Sequence, residues 1–155
     1  MEQNMDVLLV EPGKEPRRVM IPNTLDAVEK FLGGSVQVGC FLPQKVLLVS
    51  RETASGLIPN RCMPGSVKNY IKGAFLVCGM PEEGCYFDSL NPAQMEDFNR
   101  LFKKPGEFLS VGHVAYADPD DVADAVYALW DTMADGQTVT LTKWGGADSA
   151  KRVTA

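Results

Sequence analysis

Apolar positions fall into short blocks whose spacing changes along the chain. Asp6 to Val10 is an apolar run, Glu11-Pro12-Gly13-Lys14-Glu15-Pro16 turns around Pro-Gly, and Arg17 to Ile21 alternates. Together they predict a β-hairpin ended by Pro22. The period then becomes helical: Leu25, Val28, Phe31 and Leu32 form one face of a helix over Thr24–Leu32, capped by Asn23 or Thr24 and stopped by Gly33-Gly34. Ser35 to Phe41 alternates as a third strand, and Leu42-Pro43-Gln44 turns the chain. Val46 to Val49 and Ala74 to Cys78 are continuous apolar runs, the pattern of strands covered on both faces.

The second half repeats these signals. Cys85 to Phe87 predicts a short strand. Asn91-Pro92 with Gln94 places an N-cap, a Pro at N1 and an N3 glutamine at the start of a helix over Pro92–Lys103. Its stripe is Met95, Phe98, Leu101 and Phe102; Lys103 and Lys104 suit its negative end, and Pro105-Gly106 closes it. Glu107 to Tyr116 is a weaker strand-like stretch. Asp118-Pro119-Asp120-Asp121 starts a helix over Pro119–Ala134, with Val122, Val126, Leu129, Trp130 and Met133 as its expected buried face. Gln137 to Trp144 alternates as an edge strand on which Trp144 packs, and the last residues have the composition of a mobile tail.

Between Lys45 and Gly79 a loop of about two dozen residues separates the two buried strands, and long loops in compact domains tend to carry function. It holds Gly56-Leu57-Ile58-Pro59-Asn60-Arg61. The Arg61 guanidinium is a rigid fork of donors suited to phosphate or carboxylate, and Asn60 can read an amide or base edge. Gly56 lets a backbone approach a ligand. Arg51, Lys68 and Lys72 extend the positive surface, and Tyr70 offers a ring for a nucleobase. Each has a structural alternative. Pro59-Asn60 is turn chemistry, and Arg61 can pin the loop through a carboxylate such as Asp88. The bases suit a solvated loop, and Tyr70 suits a core with a wet hydroxyl.

Charge sharpens this picture. The chain has 155 residues, 15 Lys and Arg against 20 Asp and Glu, and a net charge of −5. Residues 45 to 72 nevertheless carry five bases against Glu52, while residues 118 to 135 carry six aspartates and no base. Overall acidity argues against nonspecific nucleic-acid binding. The length suits one domain, and neither a run long enough to span a membrane nor a basic leader is recognised, so a cytoplasmic setting is expected. Cys40, Cys62, Cys78 and Cys85 lack metal-ligand spacing and are expected as reduced thiols. The sole histidine, His113, has no nucleophile elbow to serve and is expected to be structural or incidental. The aspartates from Asp118 to Asp124 suit helix capping better than a metal. Gly33-Gly34 follows a helix rather than opening one, so it cradles no phosphate, and no cofactor is expected.

In order and spacing, a set of these residues resembles the DUF3846-type domain, a small family common in phages, plasmids and conjugative elements. The carriers are Val10-Glu11-Pro12-Gly13-Lys14-Glu15-Pro16, Ile21 to Leu25, Gly33-Gly34, Leu57 to Arg61, Gly73 to Gly79 and Phe87-Asp88-Ser89-Leu90. The resemblance runs from about Val7 to Phe102; the family often has Ala where Cys62 follows Arg61. No catalytic residue is assigned in that family, so none is implied here. The resemblance implies a mobile-element setting, often near antirestriction genes, and a role against host defence in the host cytosol.

The expectation is a single α+β domain: a mixed β-sheet of five to seven strands under two or three helices. Residues 1–104 would form the family core, 105–146 a strand–helix–strand addition to the same domain, and 147–155 the tail. The expected function is non-enzymatic capture of an anionic, nucleotide-type small molecule through Asn60, Arg61, Arg51, Gly56, Lys68, Tyr70 and Lys72. The alternative is a protein–protein inhibitor of a host nuclease or restriction complex acting through the acidic helix 118–135. A homodimer through an edge strand is compatible with the pattern.

Overall fold

A computed structural model of the chain describes residues 4–41, 45–53, 57–63, 69–81, 86–112, 114–145 and 148–154, with the side chains of 40, 41, 145 and 148–154 outside the description. Strands β1 (Asn4–Val10) and β2 (Arg17–Pro22) form the hairpin that the Pro-Gly turn predicts. Helix α1 (Leu25–Leu32) follows; Thr24 caps it by accepting from the Ala27 N–H, and Gly33 ends it at φ 91°. Then come β3 (Val36–Phe41), β4 (Val46–Arg51), the short β5 (Pro59–Cys62) and β6 (Tyr70–Lys72), and β7 (Phe75–Gly79). Helix α2 (Pro92–Leu101) starts with a complete capping box between Asn91 and Gln94. Strands β8 (Phe108–Val111) and β9 (Val114–Tyr116), helix α3 (Pro119–Trp130), and strands β10 (Thr140–Gly145) and β11 (Asp148–Thr154) complete the chain. No described helix is long and apolar enough to cross a membrane.

The main sheet has five strands in the order β2-β1-β7-β4-β3. Alternate residues of its central strands enter two different cores. Met5, Val7, Leu9, Leu47, Val49, Leu76 and Cys78 meet Val28 and Leu32 of α1. Leu8, Val10, Val46, Leu48, Phe75 and Val77 meet Ile71 of β6 and Phe98 and Phe102 of α2 and its end. Both faces are covered, which is why Val46–Val49 and Ala74–Cys78 read as unbroken apolar runs. Fully burying each such side chain contributes about 1.5–3 kcal/mol.

The α+β class is as expected, but the sheet is not mixed: every pairing described is antiparallel. Helix α1 carries the chain from β2 at one edge to β3 at the other, so the two strands it joins never become neighbours. The long loop between β4 and β7 is largely a hairpin, β5–β6, laid over the α2 face.

A four-stranded sheet, β11-β10-β8-β9, holds the C-terminal part. Two expectations change here. Gln137–Trp144 is not an edge strand, because the segment expected as a tail forms β11 and pairs with β10. Trp144 donates from Nε1 to the Ser110 Oγ at 2.7 Å. Helix α3 ends at Trp130 rather than Ala134, and no residue along it is buried. It packs on β8 and β9. Val126, Tyr127 and Trp130 face away from them, so Trp130 is 78% exposed and not a core residue.

Candidate functional site

Asn60 and Arg61 are turned inward, 1% and 3% exposed. The β5–β6 register shifts between Pro59 and Arg61, which makes Asn60 the extra residue of a bulge. A regular strand sends consecutive side chains to opposite faces; the bulge lets these two lie together, with Arg61 Nη1 donating to Asn60 Oδ1 at 2.7 Å. Asn60 Nδ2 donates to the carbonyls of Val10 and Gly73, each at 2.9 Å. Arg61 Nε donates to the Phe102 carbonyl at 3.0 Å, and Nη2 to that of Lys14 at 2.5 Å. The pair therefore ties the hairpin to β1, to the β1–β2 turn and to the end of α2. The acceptors are neutral carbonyls rather than Asp88, whose Oδ1 accepts from the Ser89 N–H. Burial without a carboxylate brings the Arg61 pKa down to about 10, which leaves it charged at neutral pH. With its donors committed to the fold, this pair does not face the surface where a ligand would arrive. Arg61 thus pins the loop, but through carbonyls and not through a carboxylate such as Asp88.

Three other residues expected at the site do come together. Arg51, Tyr70 and Lys72 line one groove of about 450 Å3, between the β3–β4 edge of the main sheet and the β5–β6 hairpin. Gln37, Val38 and Gly39 of β3 and Leu48 and Ser50 of β4 form one wall; Met63, Tyr70, Ile71 and Lys72 form the other. Gly56, Lys68 and His113, with Cys85 and the Cys40 side chain, lie outside the described residues.

Lys72 lies with its Nζ 5.9 Å from the centroid of the Tyr70 ring. That ring also packs on Phe108, centroids 5.2 Å apart, which fastens the hairpin to the C-terminal sheet. Burial raises the Tyr70 pKa, opposed by a backbone hydrogen bond from Ala115, so the phenol stays protonated at neutral pH. Tyr70 is thus a fixed wall more than a mobile ring. Arg51 stands at the end of β4. Strand alternation sends it toward the α1 side, where a Cβ on Gly34 would come 3.2 Å from its Nε and Nη2. Its Nε is buried and has no hydrogen-bond partner among the described residues.

The groove differs in charge from a larger cavity. That cavity, about 580 Å3 between β1, β2 and α2, is lined by Asp6, Arg18, Glu96, Arg100 and Lys103 among others. There Arg18 pairs with Asp6, and Arg100 with Glu96 at 3.0 Å. The described lining of the groove contains two cations and no carboxylate. An incoming anion thus meets no carboxylate among the described lining residues of the groove, whereas in the cavity two of the three cations are already paired.

Sequence reasoning missed Gln37, Gly39 and Ser50. Gln37 and Gly39 stand opposite Ser50 and Leu48 in the β3–β4 register, so the four share a face. A glycine inside a strand was the available signal, since it marks a close approach or a hollow. A Cβ added at Gly39 would meet nothing nearer than the Leu48 carbonyl oxygen at 4.0 Å, so the hollow lies directly over it.

No curated protein and no solved structure is significantly similar to the chain. The family described as a domain of unknown function, DUF3846, matches residues 5–103, which hold the main sheet, the β5–β6 hairpin, α1 and α2. The four-stranded sheet and α3 lie beyond that match. On this match, covering well over half of its length, the chain belongs to the DUF3846 family.

Proposed function

We propose that the protein is a binding protein for an anionic, nucleotide-type small molecule, held in the groove between β3–β4 and the β5–β6 hairpin. The observation that carries this reading is a concavity that Lys72 lines with no carboxylate among its described lining residues. Its volume of about 450 Å3 falls in the range of small-molecule sites. A phosphate would pair with Lys72, while Leu48, Met63 and Tyr70 give the ring system apolar cover. Gln37 and Ser50 supply polar atoms for its edge. The ligand is held and not transformed: no histidine or carboxylate among the described lining residues stands where a general base would have to. In a mobile element, such a protein would counter host defence by withholding a nucleotide-type signal.

Calorimetric titration with ATP, GTP, a cyclic dinucleotide and inorganic phosphate tests this. Saturable binding of at least one nucleotide, weakened about tenfold in Lys72→Ala and abolished in Gly39→Phe, is expected. The Phe side chain fills the hollow without straining the backbone, so folding is retained. Uniform absence of binding refutes the proposal, as does a nucleotide whose affinity ignores Gly39→Phe. Phosphorus NMR of the bound nucleotide should show the same species after prolonged incubation; a product would turn the reading toward an enzyme.

A further inference from the structure

Helix α3 has an apolar stripe, yet no residue along it is buried. Val126, Tyr127 and Trp130 are 42%, 74% and 78% exposed. Their spacing places Trp130 one turn from both Val126 and Tyr127, so the three form one patch on the solvent side. Asp120, Asp124 and Asp131 flank it along the Tyr127 side, all exposed. The surrounding segment, 118 to 135, carries six aspartates and no Lys or Arg. Asp118 is accounted for by the fold, since it caps the helix through the Asp120 N–H at 2.9 Å. Asp120 lies in the first turn, where its charge suits the helix dipole. Asp124 and Asp131 have no such position to explain them. An exposed tryptophan and tyrosine beside the carboxylates of Asp120, Asp124 and Asp131 is costly to leave in water and is the composition of an interface centre with a charged rim.

We infer that this face of α3 docks a basic, apolar-anchored segment of a partner protein. The charge decides among occupants. A second copy meeting the same face would set Asp120, Asp124 and Asp131 against their own copies, and a nucleic acid or an anionic bilayer would be repelled likewise. A partner carrying Lys and Arg around an apolar anchor matches both the rim and the patch. Trp130 is the expected energetic centre, because buried Trp and Tyr dominate such contacts. The surface lies outside the family match and is separate from the groove, so its test does not depend on the ligand proposal.

The probe is a designed amphipathic helix with leucines on one face and lysines and arginines on the other, in two unrelated sequences. A twin with glutamates in place of the bases is the control. Emission from Trp130 should shift to the blue on saturable binding of the basic peptides and not of the twin. Trp130→Ala, read by peptide anisotropy, should weaken binding about 30-fold. Asp124→Asn combined with Asp131→Asn should weaken it and flatten its salt dependence, with circular dichroism confirming that α3 persists. Absence of saturable binding overturns the inference, as does binding that is indifferent to Trp130→Ala. Self-association in sedimentation that Trp130→Ala removes overturns it in favour of a second copy. Binding of duplex DNA or anionic vesicles lost in that variant does so in favour of those occupants.

Discussion

Replacing Arg61 with Met removes the charge and its hydrogen bonds but keeps most of the apolar stem. Three well-formed bonds are lost: to the Phe102 carbonyl at 3.0 Å, the Asn60 Oδ1 at 2.7 Å and the Lys14 carbonyl at 2.5 Å. A bond from a charged donor contributes about 1.5–3 kcal/mol, so the gross loss is roughly 5–9 kcal/mol. Against this, the variant no longer buries a cation. Burial brings the Arg61 pKa from 12.5 to about 10, which corresponds to an offset of roughly 3 kcal/mol. The expected net loss is about 2–6 kcal/mol, or a fall in Tm of roughly 5–20 °C for a domain of this size. Urea unfolding followed by circular dichroism measures it. Arg61→Lys should lose nearly as much, because one ammonium cannot reach acceptors on β5, the β1–β2 turn and the end of α2 together. A loss under about 0.5 kcal/mol, the ordinary size for a surface substitution, would refute the account of Arg61 as an internal tie.

Cys78 is fully buried and its thiol is pushed up to about 12 from 9.0, because burial disfavours the thiolate. Its contribution to stability is therefore complete below about pH 9 and lost as pH rises toward 12, by up to roughly 4 kcal/mol; unfolding curves of wild type and Cys78→Ala should converge over that window, and parallel curves would contradict the assignment. Asn91→Ala breaks both arms of the α2 capping box and should cost about 1 kcal/mol in urea unfolding. Trp130→Ala should change stability by no more than about 0.5 kcal/mol, whereas a loss of several kcal/mol would return Trp130 to the core.

Much of the fold could be read from spacing alone, for local reasons. The α2 start was legible because Asn91, Pro92 and Gln94 satisfy one another within a single turn. The unbroken runs at Val46–Val49 and Ala74–Cys78 were legible because a sheet covered on both faces needs no polar alternation. Asn60 and Arg61 stood out for their residue types, but their partners are carbonyls of Val10, Gly73, Lys14 and Phe102, and a carbonyl leaves no mark in the sequence. Helix α3 shows the opposite limit. Its stripe is genuine, but periodicity cannot tell a face turned to its own core from one turned to water, and here Val126 and Trp130 face water. The groove escaped notice because Gly39 announces a hollow only once β4 and the hairpin stand around it.

Backbone amide and arginine Nε–H shifts, followed by 15N NMR while a binding nucleotide is titrated in, test the division of labour most directly. The account predicts saturable shifts at Gly39, Ser50 and Lys72, with the Arg61 Nε–H resonance unmoved and still protected from exchange. Shifts centred on Asn60 and the Arg61 side chain, with the groove amides silent, would contradict it.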